Sequence, residues 1–431
     1  MHVLALDIGT SAVKAAVVDV TTAAPVGPVH KAAYDLDTPT PGAAEVPADR
    51  LWSAVTAAAR KATAAGPAVA GVGLDCLTPG LVLLDAADRP LAPIRTHLDR
   101  RSRPIARRVE AEVGPEFLAT TGNRPLPGGM SALSWADWRD EHPDDAKQVR
   151  WYLHVNGWVG LRLTGERAFD PANASFTGLF NTVTDQRWSG RWCDYFGARP
   201  EWLPPVVDGA ATLGPLRPDA AAELGAPAGV PVKLGTADTA SALLAAGLGP
   251  GDLLHSVGTT QVLEALTDRP VPDRRRLVRR LGVGPAFVHV THNPVGGAAL
   301  EWLHRLCFRD QPAKQFFEQT VPAAVGRETT VRLDPPYLGG DRLEIEPVRA
   351  ALREVALTTT REDVLAAVLA AMRDGHRKAV AALGLGDHFN RVVLTGGAAA
   401  VVKQLMPEYA AAPVLDEAAV RGVARLFQEE D

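Results

Sequence analysis

The sequence predicts an α/β protein built from two related domains. A strand–turn–strand pattern near the N-terminus occurs again past the middle of the chain, and such a repeat indicates duplication. Strand-like runs alternate with helix-like segments, as in α/β proteins. The 431 residues are enough for two hydrophobic cores. We expect a first domain of residues 1–234 and a second of residues 235–431.

The amino-acid composition narrows the classes of molecule that this protein could bind. Hydrophobic residues make up 46% of the chain and aromatic residues 6%, which is typical of a globular protein. The formal charge of −5 is small for this length and argues against nucleic acid or an anionic membrane as partner. Cys76, Cys193 and Cys307 lie far apart, so we expect neither a disulfide framework nor a metal cluster, in keeping with a reduced cytoplasm. We expect no basic leader and no membrane span, and we leave a homodimer open.

The first element in the chain is a hairpin. Apolar runs at residues 3–6 and 15–20 flank a polar break, and the chain returns directly to a strand instead of opening a helix as in the common phosphate loops. Such a turn presents backbone N–H groups, hydroxyls and one carboxylate together, which are the groups that a phosphate and its magnesium ion require. An ordinary buried hairpin is the alternative. The residues in question are Asp7, Gly9, Thr10, Ser11 and the nearby Lys14.

The next segments alternate between helix and strand. Residues 51–64 have the composition and spacing of a helix, and residues 69–74 and 81–84 are expected to form buried strands. The loop between these strands contains Thr78 and Pro79. Several arginines follow and are expected to decorate a solvated helix face: Arg100, Arg103, Arg107 and Arg108.

A strand at residues 230–235 leads into a loop that presents Asp238. Residues 240–246 then favour a tightly packed helix. Asp is common at helix N-caps, which is the simpler interpretation of Asp238. Its place directly before the second hairpin favours a chemical role, since a carboxylate there can orient a hydroxyl and take its proton.

The second half repeats the phosphate-type turn and adds a third glycine turn. Strands at 252–257 and 261–265 flank the second turn, and a later strand leads through two glycines into an Ala-rich segment suited to a base or ribose. The arginine-rich stretch 273–280 is expected to be a solvated loop, and residues 361–383 a long amphipathic helix. The turn residues are Gly258, Thr259, Thr260, Gly396, Gly397 and Ala398.

Taken in order, these motifs resemble the phosphate and adenosine motifs of the actin, hexokinase and heat-shock-chaperone ATPase superfamily. Within it, the chain resembles the FGGY family of carbohydrate kinases, and its xylulokinase-like members in particular. Further matching stretches support this resemblance: Gly80–Asp85, Thr121–Asn123 with Pro125–Gly128, Leu161–Gly165, Asn173–Ser175, Gly235–Asp238 and the turn at Tyr337–Arg342. The resemblance implies two ribonuclease-H-like domains flanking a deep cleft.

The resemblance also implies roles for residues. ATP would lie between the two hairpin turns with its adenosine against Gly396 to Ala398, magnesium would be held through water by Asp7, and Asp238 would be the catalytic base. The sugar would lie near the loop carrying Thr78 and Pro79 and near a carboxylate–guanidinium pair, Asp99 and Arg101.

The chain departs from the family at the sugar loop, where Thr78 and Pro79 stand in the places of Met and His, and at Ala132, where Lys is usual. Pro cannot donate the hydrogen bond that His could. The expected activity is ATP-dependent phosphorylation of a primary hydroxyl on a ketose, with D-xylulose leading. Alternatives are ribulose, a deoxy sugar or glycerol as substrate, or a nucleotide-dependent regulatory protein without catalysis.

Overall fold

The computed structural model describes residues 1–386 and 388–428. The strands are β1 (His2–Ile8), β2 (Ala12–Asp19), β3 (Ala24–Pro25), β4 (His30–Ala33), β5 (Glu45–Val46), β6 (Val72–Cys76), β7 (Gly80–Leu84), β8 (Ile94–Thr96), β9 (Trp151–His154), β10 (Thr212–Pro215), β11 (Pro231–Ala237), β12 (Leu253–Val257), β13 (Gln261–Thr267), β14 (Leu277–Arg280), β15 (Phe287–Asn293), β16 (Arg332–Leu333), β17 (Leu352–Arg353) and β18 (Val392–Thr395).

The α-helices are α1 (Ala48–Ala65), α2 (Arg103–Thr121), α3 (Ser131–Glu141), α4 (Pro143–Ala146), α5 (Val155–Thr164), α6 (Pro171–Ser175), α7 (Gly190–Phe196), α8 (Pro218–Leu224), α9 (Asp238–Ala246), α10 (Gly297–Cys307), α11 (Ala313–Gln315), α12 (Val321–Ala324), α13 (Arg361–Leu383), α14 (Ala399–Leu405) and α15 (Ala418–Arg425). Short 3-10 turns lie at Pro200–Trp202 and Pro407–Tyr409, and a π-helical turn at Phe316–Thr320. Within the described residues, none of the helices combines the length and apolar character needed to cross a membrane.

The sheet of the first half has the strand order β10-β11-β6-β1-β2-β3, with β4 also paired to β2. The β1–β2 pair is antiparallel, whereas β1, β6 and β11 run parallel to one another. Side chains of β1 alternate between two faces, so Leu4 and Leu6 join the main core while Val3 and Ala5 join a second core on the other face. Because both faces are covered, the strand is apolar almost throughout.

Helix α1 covers the first face of this sheet. Its buried residues recur at intervals of three and four, including Leu51, Val55, Ala58 and Ala62, which is the spacing of one helix face. The prediction of a helix at 51–64 is therefore confirmed, with an extra turn at its N-terminus. The predicted strands at 69–74 and 81–84 correspond to β6 and β7.

The second half contains the sheet β14-β15-β13-β12-β18, in which β12 and β13 form an antiparallel hairpin and β18 runs parallel to β12. Helix α13 has the predicted boundaries, residues 361–383. It begins with a capping box in which the Thr360 side chain and Asp363 satisfy each other's backbone N–H groups, and it ends at Gly384 in the left-handed conformation. Its buried face packs with α10 and α14 into the core of this half.

The last helix crosses back to the first half. In α15, Val420 and Val423 pack against Val3 and Ala5 of β1, and Gly422 fits against the backbone of Ser241 in α9. The segment from β18 to α15 thus connects the two sheets. Strand β11 contains residues on both sides of the expected division at residue 234, which stays a prediction.

Candidate active site

Three acidic side chains meet where parallel strands of the first sheet end. Asp7 on β1 lies in register with Asp75 on β6, and the pairing of Ala237 with Cys76 places Asp238 directly after the end of β11. Because the carboxyl ends of neighbouring parallel strands lie at the same sheet edge, these carboxylates share one site. The sequence predicted Asp7 and Asp238 but missed Asp75. The only local signal was a carboxylate at the end of an otherwise apolar run.

Burial and mutual repulsion dominate the electrostatics of this site. Burial, followed by the charge of Asp238, raises the pKa of Asp7 to about 7, while the charge of Lys14 lowers it. Burial and the charges of Asp7 and Asp238 raise the pKa of Asp75 well above its usual value. Neither carboxylate oxygen of Asp75 has a hydrogen-bond partner among the described residues. When ionised, the cluster therefore has negative charge that its protein neighbours leave uncompensated, which is why these pKa values are raised.

This charge fits a hydrated magnesium ion. Within residues 1–386 and 388–428, no set of three or more His, Cys, Asp or Glu side chains is arranged to enclose a metal by itself. Magnesium keeps several of its waters and is commonly held by one or two carboxylates together with substrate phosphates. The unpartnered oxygens of Asp75 beside Asp7 are suited to that kind of contact.

The first turn is a tight hairpin closed by its own backbone. The Gly9 N–H donates to the Ala12 carbonyl at 3.0 Å, and the Tyr34 hydroxyl donates to the Gly9 carbonyl. Lys14, which we expected at the phosphate, forms an ion pair with Glu417 at 2.7 Å. Since Glu417 directly precedes α15, this pair joins the first hairpin to the C-terminal segment.

The second and third predicted turns lie side by side. The Gly297 N–H at the start of α10 donates to the Gly258 carbonyl at 2.8 Å, and the Ala398 N–H donates to the Val257 carbonyl at 3.1 Å. Gly396 has a φ of +96°, and a Cβ there would clash with the Val257 carbonyl oxygen. Gly396 is therefore required both for its backbone conformation and for the close approach of the two turns.

Asp238 is the first residue of α9. Its carboxylate accepts the Thr239 N–H at 2.8 Å, but burial outweighs this bond and raises the pKa of Asp238. Beside it lies a buried ion pair in which the Arg279 Nη2 contacts Glu264 at 2.6 Å and the Thr239 hydroxyl at 2.9 Å. The charges of Arg279 and Arg342 lower the pKa of Asp238 and favour its ionised form.

The environment of Arg279 corrects one expectation. The stretch 273–280 was expected to be a solvated loop, yet Arg276 and Arg279 are buried. The Arg276 guanidinium donates to the carbonyls of Ala382 and Leu383 at the end of α13. The prediction was wrong for these two arginines because their partners come from distant elements.

The predicted sugar loop is held by a buried polar network. The Thr78 hydroxyl donates to the Asn173 side-chain oxygen at 3.0 Å, which also contacts His154 Nδ1 at 3.1 Å. The Asn173 amide donates to Asp170 at 2.6 Å. Burial lowers the pKa of His154 to about 4, so this imidazole is neutral at pH 7. Thr78 is only half-buried, while Pro79 beside it is buried.

Asp99 and Arg101 are bonded to each other. Asp99 is fully buried, with one carboxylate oxygen accepting the Ala44 N–H at 3.1 Å and the Arg101 Nη2 at 2.6 Å. Arg101 also contacts Glu45. Their polar groups are thus largely used within the first half. A role in sugar binding stays a prediction.

Ala132, where the family usually has Lys, is also buried. Gly178 packs closely against it, since a Cβ added to Gly178 would lie 3.5 Å from the Ala132 Cβ. A small residue therefore fits at position 132.

Two α/β domains that present glycine turns and carboxylates at strand ends define the class of actin-like ATPase folds. The structure superimposes on a xyloylose kinase from Brucella ovis with a TM-score of 0.86 and 27% identity, covering 99% of this chain and 90% of the other. The predicted two-domain fold is thereby confirmed.

Residues 2–245 match the N-terminal domain of the FGGY family of carbohydrate kinases, and the chain belongs to that family. Its sequence is 32% identical over 275 residues to a xylulose kinase from Streptomyces rubiginosus, covering 63% of this chain and 55% of the relative. It is 24% identical over 394 residues to a gluconokinase from Bacillus subtilis (strain 168), covering 85% and 74%. The match therefore spans about half the length of the first relative.

Proposed function

We propose that this protein is an ATP-dependent carbohydrate kinase that transfers the γ-phosphoryl group of ATP to a hydroxyl of a small sugar. The observation that carries the proposal is Asp238, a half-buried carboxylate directly after β11 that lies beside Asp7 and Asp75. Phosphoryl transfer depends on positioning and charge neutralisation, with a carboxylate to orient the attacking hydroxyl.

In the proposed reaction, the sugar hydroxyl oxygen bonds to the γ-phosphorus and the bond from that phosphorus to the β–γ bridging oxygen breaks. Asp238 orients the hydroxyl and accepts its proton late in the step. A magnesium ion held by Asp7 and Asp75 would neutralise phosphate charge. Backbone N–H groups of the turns at Gly9 and Gly258 would bind the phosphates.

The adenosine would lie against the turn of Gly396, Gly397 and Ala398, next to the second phosphate turn. We propose a ketose as substrate, with D-xylulose leading because xylulose kinases are among the relatives. The similarity to a gluconokinase makes gluconate a second candidate. The Thr78–Pro79 loop would contact the sugar, and we place its specificity there and not in the buried Asp99–Arg101 pair.

The test is ADP release by the purified protein with MgATP against ketoses, aldoses, polyols and sugar acids, including a control without sugar. We expect turnover stimulated by one sugar class and lost in Asp238→Asn, while MgATP binding persists. Asp144→Asn serves as control because Asp144 is exposed and forms a surface ion pair with Lys147. Turnover that no sugar stimulates, or full activity in Asp238→Asn, would contradict the proposal. MgATP binding without turnover would favour a regulatory protein.

A further inference from the structure

A long connection of the second half reaches across to the first half. Residues 334–351, which we call the strap, join β16 to β17. Asp341 in the strap forms an ion pair with Arg103 at 2.6 Å and lies 3.6 Å from the Arg100 Nε. Arg103 also donates to the Ile345 carbonyl. These arginines were expected to decorate a solvated helix. That expectation was wrong because the strap covers them.

The strap also lies against the second phosphate turn. The Gly339 N–H donates to the Pro294 carbonyl at 2.7 Å. A Cβ on Gly339 would be 2.5 Å from the Thr260 Cγ2, so only glycine allows this close contact. The strap is therefore fixed at Gly339 by the phosphate turn and at Asp341 by the first half.

Arg342 follows directly after these two anchors. Its charge lowers the pKa of Asp238, and, after the larger effect of burial, it lowers the pKa of His97 and of His292. Asp238 is the acidic residue whose charge acts on the Arg342 guanidinium in turn. Arg342 thus follows the strap residue that contacts the second phosphate turn, and its charge acts on the expected catalytic base.

Two other cations near the cluster are bonded to acidic side chains. Lys14 is paired with Glu417 at 2.7 Å, and Arg279 with Glu264 at 2.6 Å. Arg342 has no hydrogen-bond or ion-pair partner among the described residues, although most of its surface is covered. A half-buried guanidinium whose nitrogen atoms are not bonded within the described residues is available to an anionic ligand.

We propose that the Arg342 guanidinium binds the phosphoryl group while it passes from ATP to the sugar. This inference rests on the proposed kinase function and adds a catalytic residue to it. The planar guanidinium can contact two phosphoryl oxygens at once. The charge that it neutralises is on the group in transfer, so its contribution is largest in the transition state. The ion pair between Asp341 and Arg103 of the first half fixes the position of the neighbouring Arg342.

The experiment compares Arg342→Met and Arg342→Lys with the wild type. We expect kcat to fall by about 10²-fold to 10³-fold in Arg342→Met, the usual loss when a transition-state contact is removed. The Kd for MgATP should change by less than about threefold, since the ground state uses the turns. Added guanidinium chloride at low concentration should restore part of kcat in Arg342→Met but not in Asp238→Asn. Such rescue would not follow from a structural role.

Arg107→Met is the matched control. Arg107 contacts Glu346 of the strap at 2.6 Å, but both side chains are exposed, so kcat should stay within about twofold. If Arg342→Met does not fold, Arg342→Lys tests the proposal instead. Its kcat should fall by about tenfold or more, because lysine cannot make the bidentate contact. Wild-type turnover that Asp238→Asn abolishes and Arg342 variants retain would overturn this inference alone. Absence of sugar-stimulated turnover in the wild type would overturn both proposals.

Discussion

Replacing Asp7 by Asn should stabilise the protein while removing its activity. Burial and the charge of Asp238 raise the pKa of Asp7 from 3.8 to about 7, so the folded state favours the protonated form. Asp7 therefore makes its full contribution to the free energy of unfolding below pH 3.8, where it is protonated in both states. That contribution is lost as the pH rises through 7. One pKa unit corresponds to about 1.4 kcal/mol, so the ionised carboxylate costs up to about 4 kcal/mol at pH 8 and about 2 kcal/mol at pH 5. Asn carries no such cost.

The assay is urea unfolding with EDTA at pH 5 and pH 8, where EDTA prevents metal from stabilising the wild type. The stability difference in favour of Asp7→Asn should be about two to three times as large at pH 8 as at pH 5. Asp85→Asn is the control, and its effect on stability should have the opposite sign. The Asp85 carboxylate accepts hydrogen bonds from backbone N–H groups that lower its pKa, so its loss should destabilise the protein. Lower stability of Asp7→Asn at pH 8, or a difference that does not vary with pH, would refute the reasoning.

Three further predictions follow from the geometry. Gly396→Ala should reduce MgATP affinity by at least about tenfold in calorimetry, because of its positive φ and the clash, while Gly190→Ala, outside the proposed site and with no atom within 4 Å of the new Cβ, should bind normally. The acidic limb of the kcat/KM profile should lie above pH 3.8, since burial raises the pKa of Asp238, and a limb at or below 3.8 would contradict this assignment. Arg279→Met should destabilise the fold by about 3–5 kcal/mol in urea unfolding because Glu264 is left buried and unpaired, and the double variant with Glu264→Leu should recover most of that loss.

Features that local sequence determines were predicted correctly. The boundaries of α13 follow from the capping box at Thr360 and the glycine at 384, and the hairpins follow from apolar runs around Gly-Thr turns. Order along the chain then indicated two domains. These signals depend on neighbouring residues alone, which is why sequence reasoning captured them.

Features that depend on distant partners were not predicted. Asp75 belongs to the acidic cluster only because β6 pairs with β1 in a particular register. Arg279 and Arg103 look like surface arginines in sequence, and only the fold brings Glu264 and Asp341 to them. Residue type and spacing contain no information about such pairings. The same holds for Lys14, whose pairing with Glu417 joins the two ends of the chain.

The arrangement of charge in this site is unfavourable for the protein alone and suited to a ligand of mixed charge. Asp7, Asp75 and Asp238 repel one another on the first sheet, while Arg342 is presented by the strap without a partner among the described residues. Bound MgATP brings a cation for the acids, and its phosphoryl group in transfer brings the negative charge for the guanidinium. The charges of the acidic cluster and of Arg342 are therefore neutralised only when the ligand is bound between both halves of the molecule. MgATP should therefore stabilise the fold more than ATP with EDTA, and Arg342→Met should lose less of that gain than Asp7→Asn, because the proposed contact of Arg342 forms mainly during transfer.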